Sequence, residues 1–304
     1  MTLFVIVGAT ATGKSSLALD LAERLDGEII NADSMQLYRG MDIGTAKLPV
    51  GDRRGITHHL LDLLDVNQDA SVAWYQEESR RVIDSLLDQG KNVIVVGGTG
   101  LYVKAILDEL EFPATDPNVR ARIAAEGERL GAGIMHERLS KLDPAAAAAI
   151  PRENLRRVVR ALEVIELTGK PFTANLPKVG QTRYPQAKQC GLVLDRENLR
   201  ERIDQRVEKM WQEGFVDEVR SLIPLGLKEG KTAKAALGYA QILSFLEGEI
   251  SEEEAKEETK RATRQYARRQ ETWFSRDERI TWLKPQPNTD LASQVLSSTI
   301  GKDE

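Results

Sequence analysis

The sequence predicts an α/β protein: a parallel sheet flanked by helices, with a helical insertion domain. Three observations carry that expectation. Residues 3–7 are a short, continuous, apolar and β-branched run, as in a strand buried on both faces. Similar runs recur at 28–32 and 92–96, with a helical pattern at 73–89 between them, striped by Val82, Ile83, Leu86 and Leu87. Strands alternating with helices give parallel pairing with both faces covered. Between about 113 and 185 the chain turns rich in Ala and Arg at helical spacing, with no clear strand, and reads as an insertion.

The elements follow in order. The first strand runs into Gly8-Ala9-Thr10-Ala11-Thr12-Gly13-Lys14-Ser15, which fits the P-loop pattern G-x-x-x-x-G-K-[ST], and an amphipathic helix over 16–22 follows. Strand, glycine loop and helix form the context that this motif requires, so the core reads as P-loop NTPase-like. The second strand ends at Asp33, and a polar, glycine-containing stretch extends to about residue 69. The third strand ends in Gly97-Gly98-Thr99-Gly100. Residues 191–194 and 279–283 read as further strands. Asp143-Pro144 starts a helix, with Asp as the cap and Pro in the first position. The run 156–167 and most of 196–276 are helical, and the last ~15 residues read as a disordered polar tail. The expected domains are a catalytic core of residues 1–112 and 186–304 and an insertion of 113–185.

Of 304 residues, 41% are hydrophobic and 29% charged, as in a water-soluble globular protein. No run of about 18 apolar residues exists, so no membrane contact is expected. The first residues enter a strand with no basic leader pattern. Cys190 is the only cysteine, which excludes an intramolecular disulfide and a cysteine zinc site and fits a reducing cytoplasm. The net charge of −5 argues on average against a nucleic-acid partner. The charge is uneven, however: Arg152, Arg156, Arg157 and Arg160 cluster, as do Lys260, Arg261, Arg264, Arg268, Arg269 and Arg276. Such stripes are either a polyanion footprint or solvated helix faces.

A P-loop presents backbone N–H groups at a helix N-terminus to phosphate oxygens. Lys14 would neutralise phosphate charge and Ser15 would hold Mg²⁺. Motor and switch ATPases need a carboxylate at the end of a buried strand, and Gly97-Gly98-Thr99-Gly100 has none. Asp33 is the carboxylate at the right sheet edge, either as a turn cap or as a functional acid. With Ser34, Met35, Gln36 and Tyr38 it forms a set suited to a nucleobase edge. Thr99 either hydrogen-bonds backbone at the strand end or meets that base. His58 and His59 are adjacent in a strand, point to opposite faces and read as structural.

The P-loop, Asp33-Ser34-Met35-Gln36-Leu37-Tyr38-Arg39, His58-His59-Leu60-Leu61-Asp62, Val96-Gly97-Gly98-Thr99-Gly100, Ala236-Leu237-Gly238-Tyr239 and Thr263-Arg264-Gln265-Tyr266-Ala267-Arg268-Arg269-Gln270 occur in this order. This ordered set closely resembles the bacterial tRNA dimethylallyltransferases (tRNA isopentenyltransferases, the IPP transferase family) over roughly residues 3 to 284. The departures are small: Ala9 where Pro is usual, Thr12 where Ser is common, and Ala240 where Lys is frequent.

The resemblance implies transfer of a dimethylallyl group from dimethylallyl diphosphate to N6 of the adenine just 3′ of the tRNA anticodon, releasing pyrophosphate. It implies Mg²⁺ as cofactor. Asp33, Thr99 and Lys14 would be catalytic, with Asp33 taking the N6 proton, a form of help typically worth ~10²–10⁴-fold. The diphosphate would lie on Gly8, Ala9, Thr10, Ala11, Thr12, Gly13, Lys14 and Ser15. Arg202 and Arg206, four apart, would either close over it or pair with nearby acids. The tRNA would meet Asp33, Ser34, Met35, Gln36, Thr99, Arg120, Arg156, Arg157, Arg160, Gly238, Tyr239, Arg264, Gln265, Arg268 and Arg269, and Trp273 and Phe274 would be stacking aromatics or core. The target base must leave the loop stack to react. No protein partner is predicted, and a monomer is expected. The alternatives are an adenylate isopentenyltransferase acting on free nucleotides, a small-molecule P-loop kinase and a non-catalytic RNA-binding protein. A C-terminal zinc finger is excluded by one Cys and three His.

Overall fold

The computed structural model describes residues 1–175, 181–286 and 289–300. The chain divides into two compact units, residues 1–107 with 184–304, and residues 108–183.

The larger unit is built on six strands: β1 (Leu3–Gly8), β2 (Gly27–Asn31), β3 (His58–His59), β4 (Asn92–Val96), β5 (Lys188–Leu192) and β6 (Ile280–Leu283). They are ordered β3-β2-β4-β1-β5-β6, and every pairing is parallel. Period-two alternation sorts the apolar side chains onto two faces. Leu3, Val5 and Val7 of β1 join Ile30, Val93 and Val95 in one cluster. That cluster packs under α2 (Val72–Asp88) and α3 (Gly100–Leu107). Phe4 and Ile6 join Ile29, Ile94, Cys190 and Leu192 under α1 (Lys14–Leu25). Each such side chain fully buried stabilises the fold by about 1.5–3 kcal/mol. β5 begins three residues earlier than the apolar run at 191–194 suggested, because Lys188 and Gln189 pair with Phe4 and Val5 of β1 despite their polarity.

The smaller unit is α4 (Pro117–Leu130), α5 (Ala132–Leu142), α6 (Pro144–Ala149) and α7 (Leu155–Thr168). These pack around Ile123, Met135, Leu139, Val158 and Leu162. Its helix starts are set locally. Asp116 accepts from the Asn118 and Val119 amides, Asp143 from Ala146, and Asn154 from Arg157. Each such cap is typically worth about 1 kcal/mol, and Pro117 and Pro144 occupy first positions where no N–H is needed.

The chain then returns to the larger unit with α8 (Arg196–Gln212), α9 (Phe215–Leu222), α10 (Tyr239–Leu246) and α11 (Glu252–Phe274). The expected polar tail is instead α12 (Leu291–Ile300) up to its last described residue. Ala292 and Val295 are buried beside α1, and Arg24 pairs with Asp290 at 2.9 Å. The apolar stripe Leu291, Ala292, Val295 and Leu296 is diluted by serines, which hid it in the composition.

The polar stretch after β2 is ordered by buried charge. Lys47 is almost fully enclosed and donates to the Tyr38 carbonyl at 2.9 Å, Asp42 at 2.6 Å and Asp62 at 2.5 Å. From α9, Glu218 accepts the backbone amides of Asp42, Ile43 and Gly44 at 3.0, 2.6 and 3.2 Å.

Candidate active site at the carboxyl edge of the sheet

In a parallel sheet all strands point one way, so the segments that leave β1, β2 and β4 emerge at one edge. Those segments are the P-loop, Asp33 with its followers, and residues 97–100. β1 is central, flanked by β4 and β5, which sets the P-loop in the middle of that edge.

Close backbone approach shapes the loop. Gly8 has φ 139°, and a Cβ there would lie 2.6 Å from the Leu192 carbonyl oxygen. Ala11 stands in the left-handed region at φ 64°, which costs a residue with a Cβ on the order of 1 kcal/mol. Ala9 and Thr12 are buried and serve the loop itself. The Ala9 carbonyl accepts from the Thr12 hydroxyl at 2.8 Å and from Lys14 Nζ at 2.6 Å. Gly13 and Ser15 are exposed, at the start of α1. The first amides of a helix have no partner within it, so Gly13, Lys14 and Ser15 carry the groups open to an anion. The Thr10 amide is not among them, because it donates to Gln270 Oε1 at 2.8 Å.

Lys14 and Arg206 converge here. Arg206 Nη1, from α8, donates to the Thr10 hydroxyl at 2.9 Å. Desolvation, reinforced by the Arg206 charge and opposed by Asp33, holds the Lys14 ammonium down to about 7. Burial raises the Asp33 carboxyl above the usual carboxylate range, against the pull of the Met35 amide and of Lys14. Burial also lowers Arg206. Two cations and one carboxylate crowded in a cleft are costly unless a ligand completes them. Arg202 lies on α8 one turn before Arg206 but is exposed, and the structure does not bring it onto the loop.

Asp33 Oδ1 accepts the Met35 amide at 2.9 Å, and the Gln36 amide also pulls on this carboxyl, so the turn-capping role is real. Thr99 Oγ1 accepts the Ser34 amide at 3.1 Å and donates to Ser34 Oγ at 3.3 Å. Gln36 Nε2 donates to the Thr45 carbonyl at 3.1 Å, so its amide is largely used by the fold, and Met35 packs against the cluster around α9 and α10. The sequence reading missed Tyr266 and Gln270 of α11. The Tyr266 phenol has Thr99 and Gln270 as polar neighbours, and burial pushes it up to about 12. Gln270 is buried, and a Cβ on Gly98 would lie 2.1 Å from its Nε2. Only glycine leaves room for that amide. The signal was the four-residue spacing of Tyr266 and Gln270 on one helix face.

The basic stripes are partly neutralised. Lys260 pairs with Glu208 and Glu257, Arg261 with Glu258, and Arg264 with Asp204. Arg268 and Gln265 are exposed, and Arg269 is exposed over the Tyr266 ring at 5.7 Å. The six basic residues of this run therefore overstate the charge open to a partner. Trp273 is 40% exposed while Phe274 is core at 3%. In the smaller unit Glu163 is fully buried and held by Arg120 at 2.8 Å and Arg160 at 2.9 Å. Arg156 and Arg157 are exposed. Tyr239 is fully buried, with its hydroxyl donating to Glu218 at 2.5 Å, and a Cβ on Gly238 would strike Phe215. That ring cannot stack on a base; the pair shapes the segment around it. His58 and His59 take separate partners, the Ile56 carbonyl at 2.9 Å and Glu28 at 2.6 Å. Among the described residues no helix is long and apolar enough to cross a membrane.

Known proteins share this arrangement. The IPP transferase family profile matches residues 36–277. The tRNA dimethylallyltransferase of Streptomyces griseus is 59% identical over 91% of this chain and 88% of its own length. That of Thermobifida fusca is 58% identical over 97% and 93%. The solved tRNA isopentenylpyrophosphate transferase of Bacillus halodurans is 38% identical with a TM-score of 0.72, over 99% of this chain and 95% of that one. A solved eukaryotic dimethylallyltransferase acting on tRNA is 28% identical with a TM-score of 0.81, over 98% and 77%. Likeness of this degree, sustained along nearly the whole sequence, makes the chain a member of the IPP transferase family.

Proposed function

We propose that this protein is a tRNA prenyltransferase that moves the dimethylallyl group of dimethylallyl diphosphate onto N6 of the adenine 3′ of the anticodon. The observation that carries the reading is the meeting of Lys14, Arg206 and Asp33 at one sheet edge that lacks a strand-end carboxylate after β4. A diphosphate suits the P-loop as a nucleotide's terminal phosphates do. No attacking water has to be organised, so the missing acid is no defect.

The N6 nitrogen attacks the first carbon of the allyl group as its bond to the bridging oxygen breaks, and pyrophosphate departs with the electron pair. Lys14, Arg206 and the first amides of α1 stabilise that charge where it develops. Asp33 accepts the N6 proton. Its burial raises its basicity, which suits a general base. Thr99 and Ser34 line the acceptor side. The described residues hold no group of three or more His, Cys, Asp or Glu that could cage an ion. Magnesium needs no cage, since it keeps waters and takes one or two protein oxygens with substrate phosphates. The exposed Ser15 hydroxyl fits such an ion. Bound there, Mg²⁺ would supply further charge neutralisation for the leaving diphosphate.

The exposed Arg156 and Arg157 of α7 and Arg268, Arg269 and Gln265 of α11 are the residues we assign to tRNA phosphates, with Arg264 and Arg160 reaching it only by leaving their acids. Work in the cytoplasm as a monomer fits this reading. The test is acceptor choice. With radiolabelled dimethylallyl diphosphate and equimolar tRNA and AMP, label should enter tRNA, and entry into AMP alone would point to the free-nucleotide alternative.

A further inference from the structure

A chain of hydrogen bonds and polar neighbours crosses the site at the level of α11. Ser34 meets Thr99 at 3.1 Å through its amide and 3.3 Å through its hydroxyl. Thr99 meets Tyr266, and Tyr266 meets Gln270. Gln270 Oε1 accepts the Thr10 amide at 2.8 Å while its Nε2 donates to the Gly98 carbonyl at 2.8 Å. Thr10 ends the chain on Arg206 at 2.9 Å. One end is the expected acceptor side and the other the phosphate loop. Both middle members stand on the helix that also carries Arg268 and Arg269.

We infer that Tyr266 and Gln270 are positioning residues that couple the two substrate sites, so that tRNA on α11 sets the P-loop for the diphosphate and the diphosphate sets α11 for tRNA. The inference rests on the prenyl-transfer reading. Gln270 is nearly fully buried at 4%, and its amide has both ends used. A shift of α11 must therefore move the Thr10 amide, the Gly98 carbonyl or both, because a buried amide left unpaired is costly. Gly98 leaves no slack on the other side. Coupling of this kind is reciprocal: each ligand must tighten the other by the same factor.

The experiment measures that factor. Dimethylallyl diphosphate binding is titrated with and without an anticodon stem–loop in which purine, lacking the amine, replaces the target adenine, so nothing turns over. Wild type should show mutual tightening on the order of tenfold. Tyr266→Phe, which cuts the middle of the chain and keeps the ring, should bring the factor close to one while each ligand alone binds within about twofold of wild type. Gln270→Met should also lose the coupling, and should weaken diphosphate binding alone by roughly tenfold, the usual effect of a lost buried hydrogen bond. Gln270→Glu, which keeps the acceptor for Thr10, should recover part of that affinity relative to Gln270→Met. No tightening in wild type, or a factor unchanged in both Tyr266→Phe and Gln270→Met, overturns the inference. Absence of prenyl transfer by wild type to ordinary tRNA would overturn the underlying reading instead.

Discussion

Arg206 on α8 reaches the phosphate loop through a single hydrogen bond, Nη1 to the Thr10 hydroxyl at 2.9 Å, while Arg202 one turn earlier stays exposed. The two arginines look equivalent in sequence, and the structure separates them. Arg206→Ala should lower kcat/KM for dimethylallyl diphosphate by about ten- to a hundredfold, as expected for a charge-assisted contact worth ~1.5–3 kcal/mol. Arg202→Ala should cost no more than a few fold. Steady-state kinetics on the two variants decide it, and equal losses would mean that Arg202 also reaches the diphosphate.

Diphosphate binding should take up a proton. Lys14 is held down to about 7 in the free protein, and a diphosphate favours its charged form. Affinity should therefore be flat below about pH 7 and weaken up to tenfold per pH unit above it. Calorimetry at pH 8 in buffers of different ionisation heat should report close to one proton absorbed, and no uptake would place the lysine elsewhere.

The same lysine should weaken the free fold. Its folded value lies below the 10.5 of the unfolded chain, so the unfolded form binds more protons between about 7 and 10.5. Stability should then rise with pH across that window. Lys14→Met should raise the melting temperature at neutral pH, flatten that rise and abolish turnover; a lower melting temperature would contradict the cost assigned to burying the charge.

Asp33→Asn should lose about 10²–10⁴ in kcat, the usual worth of a positioned base, with tRNA affinity within a few fold. In wild type the acid limb of kcat/KM should fall above the ordinary carboxylate range, because burial raises this carboxyl and activity needs it deprotonated. A limb at the usual value with the rate retained in Asp33→Asn would remove Asp33 as the base.

Among the described residues Arg268 and Arg269 of α11 have no acidic partner, whereas Arg264 holds Asp204. Removing both with Arg268→Ala and Arg269→Ala should flatten the dependence of log K for tRNA on log salt by roughly 1.5, at about 0.7 to 0.9 per lost phosphate contact. KM for dimethylallyl diphosphate should hardly move. An unchanged slope would make the row a solvated helix face. Charge reversal at Arg264 is a poorer test, since it also breaks an ion pair.

What the sequence made legible was local. The P-loop declares itself in eight consecutive residues, Asp33 directly follows the apolar run at 28–32, and the caps at Asp116 and Asp143 lie next to the helices they start. What it hid was polar pairing across long separations. Glu163 under Arg120, Glu218 on the amides of 42–44, and Asp204 on Arg264 each pair groups that look free in one dimension. Gln270 looks like one more polar residue on a basic helix until the fold sets it between Thr10 and Gly98, 260 and 172 residues away. Burial of Tyr239 is likewise a consequence of packing on Phe215, a contact that no local pattern announces.

The most direct test of the central claim is to locate the transferred group. The protein is incubated with Mg²⁺, labelled dimethylallyl diphosphate and a tRNA with adenine 3′ of its anticodon, and the tRNA is then digested to nucleosides. Label should appear as N6-dimethylallyladenosine from that position alone, with one pyrophosphate released per group transferred and with transfer by Asp33→Asn slowed about 10²–10⁴-fold. Pyrophosphate released without labelled nucleoside, or label found only on added AMP, would contradict the account.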